Sequence, residues 1–497
     1  MTGHARTPSL PRLPEPGCYN RMTPAHPASP LPSRWRIARG CAALAISAGL
    51  VLGDFLGASQ AIAQPSGSGS GVSLPIIRDA ETEELLRDYM RPILKAAGLQ
   101  NQKIEVVIIN DRQFNAFVAD GRRIFVNLGA LTDSKTPNQI IGVLAHETGH
   151  IAGGHLARRR EQIANMQTMA ILAMLAGGAA MVAGARGNSN IGQAAPGVLM
   201  APQSMIQRTL LSYVRSQEES ADRAGVKFLE ATGQSPRGMV ETFQRFANDS
   251  MFIQDQIDPY LQSHPMPRDR IMNLEHLAQQ SPYFNKKDPP ELQLRHDMMR
   301  AKLFGFSDPA GTTMRRYPSS DTSLPARYAR AIATYRFGDL RSALSQIDGL
   351  LQVQPRNPYL YELWGQALLE AGKAREAIPA LRKAVELSKG SPLIRILLGQ
   401  ALVQTNDKAL TEEAIHELRI AVDREPTASL GYRQLAIAYA RKGDQPNAAL
   451  ASAQDAFNSG DIRTARQLAL RAQKAFPVGS PGWVKSDDIV NYKPRKL

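Results

Sequence analysis

Apolar residues recur at helical spacing along most of this chain, and only two short stretches break that rhythm. Ala80 to Ala97 repeats its apolar positions with helical period. Ile104 to Ile109 is rich in β-branched residues and predicts a strand; Arg123 to Leu128 alternates around Ile124 and Val126 and predicts a second. Helical period returns in Gln139 to Arg160, in Thr209 to Thr232, which ends near Gly233, and in Gln234 to Met251. A polar loop then runs through Pro267, and Lys286 to Ser323 mixes Pro, Lys and Asp as a linker with some helix would.

Ile163 to Ala185 is nearly uncharged and rich in Ala, Met and Leu, and Arg186 to Gln203 turns rich in Gly, Asn, Ala and Pro. Three readings are open for the apolar stretch: a buried core helix or hairpin, a membrane-surface or lid element, or a span of the bilayer. Its length permits a span. Asn165, Gln167 and Thr168 at its start and Gly177-Gly178 in its middle argue against one.

The last third repeats itself. Pro358, Pro392 and Pro426 are 34 residues apart, as are Gly338 and Gly372, and Gly365 and Gly399; Ala367 and Ala401 keep the same register. That period is the signature of tetratricopeptide helix pairs, in which small residues let paired helices approach and Pro marks the turns. Three to four repeats fit between about Leu324 and Pro477, and their concave face would bind a protein or peptide.

Composition adds location. Of 497 residues, 43% are hydrophobic and only 6% aromatic, which suits Ala- and Leu-rich helical packing. The formal net charge is +14. A basic surface favours anionic partners such as lipid headgroups; no nucleic-acid motif is present, and no nucleic-acid partner is expected. Arg34, Arg36 and Arg39 precede an apolar run from Cys41 to Leu56, and Ala61-Ile62-Ala63 has the form of a signal-peptidase site, so a mature start at Gln64 outside the cytoplasm, in the periplasm, is expected. Met22 is an alternative start. The two cysteines, Cys18 and Cys41, fall in the segment removed.

The chemistry lies in Val143-Leu144-Ala145-His146-Glu147-Thr148-Gly149-His150. An H-E-x-x-H sequence on a helix puts His146 and His150 one turn apart on one face, where both imidazoles can hold one Zn²⁺. Glu147 projects beside them, placed to take a proton from water. A catalytic site needs a third protein ligand. Glu218 and Asp222 are one turn apart on a later helix; one carboxylate can bind the metal while the other orients a ligating histidine.

In these motifs, together with Asn115-Ala116-Phe117, Ile124-Phe125-Val126-Asn127, the block His146 to His155, and Ser263-His264-Pro265 followed by Arg270, the chain resembles the membrane-associated zincin peptidases that include the CAAX prenyl endopeptidase and HtpX, and among them the periplasmic BepA-like group with a tetratricopeptide C-terminal domain. The resemblance implies that His146, His150 and Glu218 bind one zinc per chain, that Glu147 is the general base, and that Asp222 supports a ligand. Thr148 stands where the family has an apolar residue, and Gly154 where it has a basic one. His264 is either a metal-proximal, plugging histidine or a structural loop residue. Arg270 either stabilises the oxyanion, and so counts as catalytic, or pairs with a carboxylate.

The expected architecture is mostly α: a signal peptide with a long leader over 1–63, a flexible linker over 64–73, a zincin-type α+β metalloprotease domain with a small sheet over 74–285, a linker over 286–323, an all-α tetratricopeptide solenoid over 324–480, and a tail over 481–497. Substrate would lie extended beside Asn115 and along the strand of Ile124 and Val126 by backbone pairing. The expected function is zinc-dependent cleavage of misfolded or stalled envelope and outer-membrane proteins, with the repeats contacting outer-membrane assembly machinery and 163–185 touching a membrane surface. The alternative is a chaperone or adaptor for outer-membrane protein assembly, with little proteolysis.

Overall fold

The computed structural model describes residues 75–164, 195–250, 264, 265 and 267–493. The leader, signal and first linker expected over 1–73, nearly all of the apolar stretch 163–185, and Ser263 lie outside the described residues. Among the described residues no helix is long and apolar enough to cross a membrane.

The first part is built around one small sheet. Strands β1 (Ile76–Ile77), β2 (Glu105–Ile109), β3 (Ala116–Val118) and β4 (Arg123–Asn127) lie in the order β1-β2-β4-β3. β2 and β4 run parallel; the outer pairs are antiparallel. Helix α1 (Ala80–Ala96) is capped by Asp79, whose side chain accepts from Thr82 N at 2.8 Å, and buries Leu85, Leu86, Tyr89, Met90 and Ile93. Together with Ile108, Ile124 and Val126 these residues form the core that supports the site.

Helices α2 (Leu128–Asp133) and α3 (Pro137–Ala152) follow the sheet, and then α4 (Ala195–Ala231), α5 (Arg237–Ser250) and α6 (Arg268–Gln279). α3 is buried over nearly its whole length. Glycines set its distance from its neighbours. A Cβ on Gly142 would come 2.6 Å from the Cβ of Met239 on α5, and one on Gly149 would come 2.8 Å from the Ala221 carbonyl oxygen on α4. The two helices that carry the chemistry are thereby held in backbone contact. The single helix expected over 139–160 is in fact broken: α3 ends at Ala152, Gly154 turns at φ +62°, and a new helix starts at 155.

The helix expected within the linker 286–323 is extensive. These residues contain α7 (Pro290–Ser307) and α8 (Ala310–Arg316). Met299 and Leu303 of α7 enter the peptidase-side core, while Met298 and Ala301 enter the core of the first repeats. The helix is therefore a joint with two apolar faces.

Ten helices follow in pairs. They are α9 (Leu324–Phe337) and α10 (Leu340–Leu351), α11 (Pro358–Glu370) and α12 (Ala374–Leu387), α13 (Pro392–Gln404) and α14 (Thr411–Arg424), α15 (Ser429–Lys442) and α16 (Gln445–Asn458), and α17 (Ile462–Ala475) and α18 (Pro481–Val490). Pro358 and Pro392 each open the first helix of a pair, where the missing N–H costs nothing. Gly365 and Gly399 lie at the helix crossings; a Cβ at either would come 2.4 Å from the Cγ of Leu381 or Leu418 in the paired helix. Most of the expected tail is α18, whose Ile489 packs with Ala465, Ala469 and Ala472.

The two parts meet in a buried ionic cluster. The Lys302 ammonium on α7 lies 2.5 Å from Asp79, 3.5 Å from Glu81 and 3.5 Å from Glu362 on α11, and the Tyr328 hydroxyl on α9 donates to Glu81 at 3.0 Å. Ala80 packs against Ala384 and Ile394 of the repeats, and Arg78 bonds Glu425 at 2.9 Å. The start of α1 is seated in the solenoid.

Candidate metal centre

Three elements converge on one point. α3 supplies His146, Glu147 and His150, α4 supplies Glu218 and Asp222, and α6 with the chain leading into it supplies Arg270 and His264. The Nε2 atoms of His146 and His150 are 3.1 Å apart. Glu218 Oε2 is 3.5 Å from the first and its Oε1 3.5 Å from the second. His264 Nδ1 is 3.4 Å from His146 Nε2 and 3.0 Å from Glu218 Oε2. One donor atom from each of these four side chains lies within 4.8 Å of the others.

The donor set fits a metal. Four lone pairs from three imidazoles and a carboxylate, crowded into a buried site, repel one another unless a cation lies between them, and nitrogen with carboxylate oxygen is the chemistry of a zinc site. The far sides of the rings are consistent with this. His146 Nδ1 lies 2.9 Å from Asp222 Oδ1, which keeps that side of the ring beside the carboxylate and leaves Nε2 facing the centre. His264 Nε2 is 3.3 Å from the Ala116 carbonyl oxygen, to which it donates, and its Nδ1 likewise faces inward. His150 Nδ1 is 3.0 Å from Nδ1 of His155.

Burial favours the neutral form of His146, but the adjacent Asp222 and Glu218 carboxylates outweigh it and push the imidazole up to about 9, so the cluster holds positive charge strongly. Asp222 is buried, which would raise it, yet the Arg270 guanidinium holds it below the usual carboxylate value. Glu218 is held well below its ordinary value against the same burial, chiefly by His264 and His146. Glu147 goes the other way: burial raises its carboxyl. Both its oxygens are buried and accept no hydrogen bond among the described residues. A carboxylate so placed, 3.4 Å from His264 Nε2 and beside the ligand cluster, is free to take a proton.

Two expectations change. Arg270, a candidate for the oxyanion, is bound in a fork to Asp222 at 2.7 and 2.8 Å, lies 2.9 Å from Glu218, and donates to the Pro265 carbonyl. Its guanidinium neutralises the carboxylates beside the cluster, which is the second of the two readings that the sequence leaves open. Ile124 and Val126 belong to β4, which is hydrogen-bonded on both edges, and both side chains are buried in the core. An inner strand has no free N–H or C=O with which to pair a peptide. The outer strand next to β4 is β3: the Asn115 carbonyl accepts from Asn127 N, so the alternate residue, Ala116, turns its carbonyl outward toward His264. His155 was given no role of its own from the sequence; the Gly153-Gly154 break just before it was the available signal.

Comparison with known proteins agrees with this layout. Residues 79–278 match the model of peptidase family M48, and residues 328–392 and 368–429 match tetratricopeptide repeat models. The chain is 24% identical over 421 residues to a beta-barrel assembly-enhancing protease of Yersinia pestis, covering 82% of both chains, and 24% identical over 429 residues to the protein of that name from Escherichia coli K12, with the same coverage. Over 37% of its length it is 26% identical to the mitochondrial metalloendopeptidase OMA1 of Schizosaccharomyces pombe, of which it covers half. The chain thus carries a peptidase family M48 domain, centred on the His146–His150–Glu218 cluster, followed by tetratricopeptide repeats.

Proposed function

We propose that this protein is an exported zinc endopeptidase that cleaves misfolded or stalled outer-membrane proteins presented in extended form. The observation that carries the reading is the pairing of a four-donor cluster with a buried carboxylate, Glu147, that has no hydrogen-bond partner among the described residues. A zinc ion held by His146, His150 and Glu218 would polarise the scissile carbonyl and acidify water. Glu147 takes the proton of the attacking water, and its burial-raised affinity for protons suits it to pass that proton to the leaving amine. A peptide strand adds to the outward-facing backbone of β3 beside Ala116. Asp222 keeps the His146 ring turned, and Arg270 keeps Asp222 ionised.

The substrate class rests on the relatives named for β-barrel assembly and on the export signal around Arg34 to Ala63. The repeats are the surface for protein partners, including outer-membrane assembly machinery. The decisive experiment compares wild type with Glu147→Gln in zinc content and in casein cleavage. Zinc at one per chain in both, with cleavage down by about 10²–10⁴-fold in the variant, is expected. Wild type without a transition metal, or a variant as active as wild type, overturns the enzyme reading. Retained assembly-promoting activity in a proteolytically dead variant would instead favour the adaptor alternative.

A further inference from the structure

We infer that His155 is the positioning residue of the metal ligand His150, and that the Gly153-Gly154 turn exists to put it there; this rests on the zinc-site reading above. His150 faces the cluster through Nε2, 3.1 Å from His146 Nε2. For that nitrogen to give a lone pair, the proton of the neutral ring must reside on Nδ1 and needs an acceptor. His146 has the Asp222 carboxylate 2.9 Å from its Nδ1. His150 has His155, Nδ1 to Nδ1 at 3.0 Å. With its own proton on Nε2, His155 accepts from His150 Nδ1 and fixes both the tautomer and the ring plane; the two rings meet edge to face, 83° apart.

The local backbone is shaped for this contact. α3 ends at Ala152 with Gly153 as its cap, and Gly154 takes φ +62°, a left-handed turn that returns the chain over the end of the helix. A Cβ on Gly153 would lie 2.3 Å from His155 Nε2, so any larger residue there drives the imidazole out. Gln217 of α4 donates to the His155 carbonyl at 3.2 Å, which ties the turned segment to the helix that carries Glu218. His155 is 5% exposed and is not one of the four converging donors. It acts through His150.

The test is zinc affinity by chelator competition on the full chain, with the d–d spectrum of the cobalt-loaded protein as a second readout. His155→Asn keeps an acceptor oxygen where Nδ1 was; His155→Leu puts a methyl there. Loss of a hydrogen-bond partner behind a metal ligand costs about 10–100-fold in affinity. His155→Leu should therefore bind zinc about 10–100-fold more weakly and shift the cobalt spectrum, while His155→Asn stays within about threefold of wild type. Gly153→Ala should reproduce the weakening with His155 intact, and it decides the matter if His155→Leu does not fold. Equal affinity in wild type, His155→Leu and Gly153→Ala overturns the inference, as does equal weakening in the Asn and Leu variants. Wild type that binds no zinc overturns the enzyme reading instead.

Discussion

Each side chain around the cluster is read from what its far end touches. His146 turns toward Asp222, Asp222 is forked by Arg270, and His264 spans from the cluster to the Ala116 carbonyl of the sheet edge. His264 thus occupies both the place of an added ligand and the backbone acceptor that an incoming strand would use. Replacing it should open the site. His264→Ala is expected to raise casein cleavage and self-cleavage with zinc retained, because His146, His150 and Glu218 remain as ligands. Equal or lower activity in the zinc-loaded variant would reject that role. The convergence of the cluster residues was legible because H-E-x-x-H and Glu218-x-x-x-Asp222 are local patterns: helical geometry alone puts the members on one face. Arg270 and the strand pairing were not legible. Whether a guanidinium meets substrate or carboxylate, and whether Val126 lies on an edge or inside a sheet, depends on which distant segment arrives beside it. β3, with only Ala116, Phe117 and Val118, is too short to declare a period.

Among the elements, α7 departs furthest from its sequence pattern. Its Pro and Lys neighbours, Lys286, Lys287, Pro289 and Pro290, cluster at its start and give the stretch the look of a linker, while the helix behind them buries two faces at once. A helix with apolar residues on both sides has no single stripe to detect. The repeats were legible for the opposite reason: the same crossing recurs, and Gly365 and Gly399 mark it twice. α7 also presents Lys302 to three carboxylates, an excess of negative charge in a buried place. Glu362 responds: burial raises its carboxyl from the ordinary 4.5 to about 7, although Lys302 pulls the other way. Between those two values the folded chain binds more protons at this site than the unfolded one, so the site's contribution to stability falls as pH rises through that window. Glu362→Gln removes the ionisation. Its unfolding free energy relative to wild type, read from denaturant titrations, should therefore climb between about pH 5 and pH 8 by on the order of 1–3 kcal/mol. A relative stability that falls over this range would mean that the ionised Glu362 is stabilised by its pairing with Lys302.

At the scale of the molecule, the peptidase part and the solenoid are not two beads on a string. Arg78, Asp79, Ala80 and Glu81 at the start of α1 all find partners beyond residue 300: Glu425, Lys302, Ala384 with Ile394, and Tyr328. Cutting the repeats away would leave Lys302 and Glu81 without Tyr328 and Glu362, and would bare Met298 and Ala301. Removing one partner from a buried charged cluster costs about 3–5 kcal/mol, a large share of what holds a domain folded. That gives the clasp a signature in genetics. Nonsense alleles that stop after α14, beyond Arg424, keep every one of these partners except Glu425, and should yield a peptidase that accumulates and cleaves casein. Alleles that stop before Leu324 should behave as nulls for proteolysis although His146, Glu147, His150 and Glu218 are still encoded. Immunoblots and casein zymograms across such a truncation series would show it as a step rather than a slope; equal accumulation and activity on both sides of Leu324 would mean that the clasp is dispensable.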